Sequence, residues 1–226
     1  MDVSFPFPVF VRSSVPRLRG MRYSPFTNID GEAFAKPTLN GFWELELSLI
    51  AKDMRAQLAL SVFVTEMESA AATCVVPVVV QYRPNDGSGR MLPSGLKLND
   101  GSAAPDFTFD HVGFDGTPFD GFTLRTPVAP RNSYIDVDKP ALSQIWPGHY
   151  ITLDDRLYQV TKSTAIDESE TAIRISVMPN IRGAHAAGKI VIVDQLRLKC
   201  RMQQGDQIGS SIDVVKFAGV SFVEAF

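Results

Sequence analysis

The amino-acid sequence predicts a mainly β protein, a β-sandwich or split barrel with one flanking α-helix and a small inserted β module. Short stretches of alternating apolar and polar residues recur along the chain, as expected for strands with one buried face. Helical periodicity, by contrast, is confined to a single segment. Many strands with one helix are typical of sandwiches and barrels.

The core is predicted from residues 41–83 and 186–226. From Phe42 to Leu49 the residues alternate, which places Trp43 on the apolar face of a strand and therefore in the core. A valine-rich strand from Cys74 to Tyr82 contains Pro77, which suits an edge or a bulge. Alternation also predicts strands in the C-terminal part of the chain, at 190–193, 196–202 and 214–223.

One amphipathic helix is predicted over about residues 52–68. Met54, Leu58 and Val62 recur at a spacing of four and form the centre of its expected apolar face. That face is widened by three further apolar residues, Leu60, Phe63 and Met67. Ser48 or Asp53 is expected to cap the N-terminal amides.

An inserted β module is predicted over residues 131–185. Within it, Asp154-Asp155-Arg156 separates two strand-like runs and predicts a tight hairpin. Residues 1–40 contain several prolines and are expected to form an extended N-terminal arm. Residues 84–130 are expected to form a long loop, because seven glycines and six prolines fall within 84–132.

The arm and the loop both carry closely spaced phenylalanines, which favour a contact surface between subunits over a catalytic site. The candidate subunit-contact residues are Phe5, Phe7, Phe10, Phe109, Phe114, Phe119 and Phe122. Three carboxylates follow the loop phenylalanines, at Asp110, Asp115 and Asp120, but they lack the ligand density of a calcium loop. No metal site is therefore predicted.

No catalytic constellation is found. The sequence contains no nucleophile elbow, P-loop, dinucleotide fingerprint or zinc-protease motif. His111, His149 and His185 are far apart, and adjacent carboxylates such as Asp154 and Asp155 fit turn chemistry. We therefore expect neither an enzyme nor a cofactor. The two cysteines, which make no disulfide framework, are expected to be reduced and at least partly buried.

The amino-acid composition excludes or disfavours several classes of protein. Hydrophobic residues make up 45% of the 226 residues, which fits a globular chain. The net charge of −3 gives little electrostatic support for nucleic-acid binding. No apolar run approaches the roughly 18 residues of a membrane helix, and the N-terminus lacks the features of a secretory signal.

The features of the chain follow a characteristic order. A Trp-bearing strand, one helix and a valine-rich strand are followed by Pro147-Gly148-His149-Tyr150-Ile151, and later by the runs at 173–182 and 217–226. This order resembles the minor tail and distal tail proteins of long-tailed bacteriophages. The resemblance covers about residues 40–83 and 140–226 and implies a barrel related to the tail-tube fold.

The resemblance also implies a function. Copies are expected to form a homo-oligomeric ring, hexameric or trimeric, which joins the tail tube protein to the hub and tip proteins. The chain would then be located in the virion tail after assembly in the host cytoplasm. One alternative is another tail protein, such as a tube or terminator subunit. A second is a carbohydrate-binding module for a host surface glycan, with Trp146, Tyr150 and Tyr158 as candidate stacking residues.

Overall fold

The computed structural model describes residues 2–6, 8–21, 26–27, 29–31, 33–34, 41–68, 71–93, 118–166, 171–203 and 216–226. These residues form thirteen strands and one helix in the order β1 (Asp2–Val3), β2 (Phe10–Arg19), β3 (Phe26–Thr27), β4 (Ala33–Phe34), β5 (Phe42–Ala51), α1 (Met54–Met67), β6 (Thr73–Pro77), β7 (Thr123–Leu124), β8 (Tyr134–Asp138), β9 (Tyr150–Leu153), β10 (Arg156–Ala165), β11 (Ala172–Met178), β12 (Arg197–Met202) and β13 (Lys216–Glu224). Among them, no helix has the length and apolar character needed to cross a membrane.

The predicted fold class is confirmed. Six strands form a sheet in the order β1-β6-β12-β13-β5-β2, and this sheet curls into a half-barrel. The curl brings the chain just after β6 towards the opposite edge strand, β2. There the Ser14 hydroxyl donates to the Val79 carbonyl and accepts from the Val79 amide, both at 2.7 Å. Side-chain hydrogen bonds thus link the two sides of the barrel, without a continuous strand ladder between them.

Alternation in β5 fills the first hydrophobic core as predicted. Trp43 and the leucines at positions 45, 47 and 49 are buried, while Glu44 and Glu46 lie on the other face. Pro77 is the last residue of β6, which lies next to the two-residue β1, so the proline interrupts no central strand.

The helix forms where it was predicted, and Asp53 is its N-cap. The Asp53 carboxylate accepts a hydrogen bond from the Ala56 amide at 2.7 Å, which satisfies one of the free donors of the first turn. The expected buried face is only partly right: Leu60, Phe63 and Met67 are buried as predicted, but Met54, Leu58 and Val62, its predicted centre, are exposed. The buried residues are Ala56, Leu60, Phe63 and Met67, at spacings of four, three and four. Phe63 packs against Phe5 and Phe222, with ring centroids 6.0 and 6.4 Å apart.

The expected N-terminal arm is largely part of the barrel. Residues 2–3 pair with β6, and nine of the ten residues of β2 pair with β5, with a bulge at Arg12. Val3, Phe5 and Val9 are buried in the first core. The segment is extended, as predicted, but residues 2–19 supply strands and core to their own chain.

The second sheet has the order β7-β8-β11-β10-β9 and its own hydrophobic core. The predicted hairpin is confirmed: Leu153 pairs with Arg156, and Asp154 and Asp155 form the turn with φ of 49° and 56°. Two left-handed residues match the twist of the flanking strands, and Asp tolerates this conformation. The module extends beyond 131–185, because Phe122, Leu124 and Val128 from the expected loop are buried in its core.

Hydrogen bonds join the two sheets near the start of β10. The Trp43 indole Nε1 donates to the Leu157 carbonyl at 2.7 Å, and the Lys199 amide donates to the Asp155 carbonyl at 2.7 Å. Leu157 itself is buried in the first core rather than the second. The hairpin of the module is therefore anchored directly in the half-barrel.

The two cysteines are free and buried in the half-barrel, and they lie directly opposite each other on β6 and β12. Burial raises the pKa of the Cys74 thiol to about 12, with a further contribution from the Asp2 charge. Burial also raises the pKa of Cys200, with smaller contributions from Cys74 and Glu224. Both thiols therefore remain protonated near neutral pH, which makes them poor nucleophiles.

Candidate functional site

The exposed face of α1 carries an apolar stripe formed by Met54, Leu58 and Val62. Their exposed fractions are 76%, 60% and 56%. Residues spaced by four lie on neighbouring turns of a helix, so the three side chains form a continuous row. Sequence reasoning identified these residues but assigned them to the core. It assigned Leu60, Phe63 and Met67 to the same face, and those three residues are the ones that pack into the core.

A second candidate contact surface is the edge strand β2. Within the described part of the chain, β2 has β5 as its only strand partner. Arg17 pairs with Glu46 at 3.0 Å, Arg19 pairs with Glu44 at 2.9 Å, and Pro16 lacks an amide donor. Charges and proline on an edge oppose unspecific strand addition, so any pairing here is restricted to a suitable partner.

Apolar side chains meet at one end of the outer barrel face. Ile50 of β5 lies opposite Phe10 of β2 on one side and opposite Phe217 of β13 on the other. The three side chains therefore lie on the same face of the sheet. Phe217 is exposed, and the Arg12 guanidinium lies 5.9 Å from its ring centroid. Phe10, a predicted contact residue, is half-buried here, with the Lys52 ammonium 4.8 Å from its ring centroid.

The structure corrects two of the predicted contact residues. Phe5 and Phe122 are buried, in the first and second core respectively, because each completes the packing of its own chain. Phe119 is half-buried against Phe122, with ring centroids 5.7 Å apart. Phe7, Phe109 and Phe114 lie outside the described residues.

Of the predicted glycan-stacking residues, Trp146 alone is well exposed, at 57%. It borders a cavity of about 400 Å³ whose wall also includes three polar side chains, Lys139, Gln144 and Ser163. Residues 146–149 form a turn, in which the Trp146 amide donates to His149 Nδ1 at 3.1 Å and the His149 amide donates to the Trp146 carbonyl. An exposed indole beside hydrogen-bonding groups is an arrangement that suits a sugar ring.

The two tyrosines do not join Trp146 in a stacking surface. Tyr158 is fully buried, and its hydroxyl accepts a hydrogen bond from the Arg182 amide at 3.3 Å. Tyr150 is half-buried and packs edge-on against Trp43, with ring centroids 5.8 Å apart. The stacking prediction is wrong for Tyr158, because alternation in β10 turns its ring into the second core.

A buried carboxylate, Glu224, lies where the two sheets meet. Its side chain is 1% exposed and lies 3.3 Å from Arg156 Nη1 and 3.7 Å from Arg182 Nε, and it accepts from the Trp43 amide at 3.1 Å. Burial raises the pKa of Glu224, although the two arginines and the Trp43 amide act in the opposite direction. The sequence shows only an acid near the end of an apolar strand.

A histidine–carboxylate pair lies at the hairpin. His185 Nδ1 is 3.0 Å from Asp154 Oδ2, and Lys189 forms an ion pair with the same carboxylate. Burial raises the pKa of Asp154, but hydrogen bonds and charge from Lys189 and His185 outweigh it and lower the pKa overall. The His185 backbone pairs with Val128, so these contacts fasten the hairpin to its neighbours. In the described part of the chain, no group of three or more metal-ligating side chains occurs.

No protein-family model and no curated protein matches the chain. A functional proposal can rest on the helix stripe, the β2 edge and the Trp146 cavity.

Proposed function

We propose that the protein is a structural subunit of a bacteriophage tail tip, a ring-forming adaptor similar to distal tail proteins. In this role it joins the tail tube to the hub and tip proteins and is located in the virion tail. The proposal starts from the resemblance of residues 40–83 and 140–226 to that family. A half-barrel with one flanking helix is the kind of fold that this resemblance implies.

The observation that carries the proposal is the apolar stripe of α1. Three large apolar side chains on one helix face lose solvent contact when a second protein surface covers them, at about 25 cal/mol for each Å² buried. Such patches mark protein contacts more often than catalytic sites. The part of the β2 edge beyond Ser14, whose hydroxyl already holds Val79, supplies a second contact surface. Two different surfaces on one subunit are what a closed ring requires.

The oligomeric mass tests this proposal. A ring of six copies of the 24.8 kDa chain has a mass of about 149 kDa, and a trimeric ring points to another tip component. We expect Leu58→Glu to shift the protein to monomers in native mass spectrometry, because a charge then replaces an apolar contact. Thr164→Glu is the matched control: it introduces the same charge at an exposed polar position of β10, in the second sheet and away from the stripe.

Circular dichroism should show both variants folded, since both side chains are exposed. A wild-type protein that stays monomeric at every concentration, or a Leu58→Glu variant with unchanged oligomeric mass, would contradict the proposal. Cleavage of a cell-surface polysaccharide, abolished by a single carboxylate substitution, would instead favour an enzyme.

A second candidate function, binding of a host surface glycan, is supported by the Trp146 cavity. We expect Trp146→Ala to abolish binding on a glycan array, because stacking on the indole supplies most of the contact area with a sugar. The control is Tyr134→Ala, which removes an exposed aromatic ring that stacks on Arg174, outside the cavity. An array without signal for the wild-type protein would exclude this candidate.

A further inference from the structure

Beside Glu224 lies a second cavity, which neither proposed function uses. Its volume is about 290 Å³, and its polar wall is formed by Arg131, Arg156, Arg182 and Asn180. The exposed ring of Phe226 forms an apolar part of the wall. The cavity thus combines three guanidinium groups with one aromatic surface, in a protein whose net charge is −3.

The arginines of this cavity are incompletely neutralised. Arg156 and Arg182 share one carboxylate, Glu224, through the same oxygen, Oε1. Arg131 has no acidic partner among the described residues. Among the residues that the structure describes, three positive charges therefore face one negative charge, an arrangement that attracts an anion.

Arg182 also has unused hydrogen-bonding capacity. Within the described part of the chain, its Nε and Nη2 are buried without a hydrogen-bond acceptor. Nε lies 3.7 Å from the Glu224 carboxylate, which is too long for a hydrogen bond. Buried donors of a charged group are costly to leave unpaired, so a further negative charge beside Arg182 would be stabilising.

Backbone geometry holds Arg131 at the cavity. Its φ is 72°, a conformation that is uncommon for a residue other than glycine. The turn is fixed by two contacts: the Arg131 amide donates to the Ile181 carbonyl at 2.6 Å, and the Asn180 side chain donates to the Arg131 carbonyl at 3.1 Å. Strained residues held in this way cluster at functional sites.

We propose that this cavity binds a small phosphate-bearing ligand. The phosphate lies among the guanidinium groups of Arg131, Arg156 and Arg182, which offer the forked, charge-assisted hydrogen bonds that phosphate oxygens accept. The remainder of the ligand lies against the Phe226 ring. The Arg182 guanidinium already stacks on that ring, with Cζ 4.2 Å from the ring centroid. This proposal does not depend on the role in a phage tail.

Isothermal titration with inorganic phosphate and with glucose 1-phosphate tests the site, with glucose as the uncharged comparison. We expect saturable binding of both phosphates and none of glucose. Arg131→Asn should weaken both by about tenfold or more, because one charge-assisted contact is lost. Asparagine tolerates positive φ, so this variant should fold. Lys162→Gln, which removes an exposed charge from β10 outside the cavity, should change neither affinity by more than about twofold.

Phe226→Ala distinguishes free phosphate from phosphate carried on a larger molecule. Phe226 is 69% exposed, so its loss should leave the fold intact. If Phe226→Ala weakens the binding of glucose 1-phosphate but not of inorganic phosphate, the ligand is a phosphate attached to a larger molecule. If every variant binds the two phosphates with equal affinity, the ligand is free phosphate. Two results would overturn the site. The first is phosphate binding that does not saturate at about 10 mM, a concentration tenfold above a weak millimolar Kd. The second is an equal loss of phosphate affinity in Arg131→Asn and Lys162→Gln.

Discussion

Replacement of Trp43 by alanine is expected to lower the free energy of unfolding by about 3–5 kcal/mol. The side chain is 1% exposed, its ring packs against Tyr150, and its indole donates the hydrogen bond to Leu157 that joins the two sheets. The substitution therefore leaves a cavity in the first core and an unpaired buried carbonyl at the junction. Urea unfolding, followed by circular dichroism, measures this loss.

The second tryptophan of the chain is the matched control. Trp146 is 57% exposed, so its replacement by alanine should change the free energy of unfolding by no more than about 0.5 kcal/mol. An equal loss of unfolding free energy in the two variants would show that Trp43 is not buried in the first core.

Replacement of Glu224 by alanine is expected to cost about 3–5 kcal/mol of unfolding free energy, because it removes the only carboxylate of a buried cluster. Arg156 and Arg182 would be left as partly buried cations, and the Trp43 amide would lose its acceptor. Glu224→Gln should cost less, since an amide oxygen still accepts a hydrogen bond. An alanine variant as stable as the wild type would contradict this account of the cluster.

The pH dependence gives a second test of Glu224. Because its pKa is raised by burial, the folded protein binds a proton at a higher pH than the unfolded chain, whose ordinary value is 4.5. The stabilisation from this proton is complete below about 4.5 and is lost as pH rises through the folded-state pKa. Relative to Glu224→Gln, the wild type should therefore gain stability as pH falls from neutral towards 4.5.

This comparison isolates Glu224 from groups with the opposite behaviour. The pKa of Asp154 is lowered, so its contribution is present above its unfolded value and is lost at acidic pH in both proteins. Urea unfolding of the two proteins at several pH values gives the free energy of unfolding of each. The difference between wild type and Glu224→Gln should shift in favour of the wild type as pH falls towards 4.5. A difference that does not change with pH would show that Glu224 has the same pKa in the folded and unfolded states.

Features of the fold that depend on neighbouring residues were predictable from the sequence. Alternation from Phe42 to Leu49 assigned the inner face of β5, because successive side chains of a strand point to opposite sides. Asp53 was one of two predicted caps, and Asp154-Asp155 was the predicted hairpin turn. In each case the residues that cause the structure lie within a few positions of it.

Only the tertiary structure decided which apolar surfaces are buried. Several apolar residues of α1 suit a core position, and packing against Phe5 and Phe222 selected the face that contains Phe63. The same long-range packing buried Phe5 and left Met54, Leu58 and Val62 exposed, which reversed their expected roles. Periodicity describes one element at a time, so it carries no information about which neighbour covers it.

The buried cluster and its cavity depend on contacts between residues far apart in the chain. Trp43 and Glu224 are 181 positions apart, and Arg156 and Glu224 are 68 positions apart. No spacing in the sequence indicates that these residues meet, because strand order in the folded sheets brings them together. The sequence by itself thus determined the inner face of β5, the helix and the hairpin. The tertiary structure decided that the N-terminal segment joins the barrel, and it also decided the exposed stripe, the paired charges and the cavities.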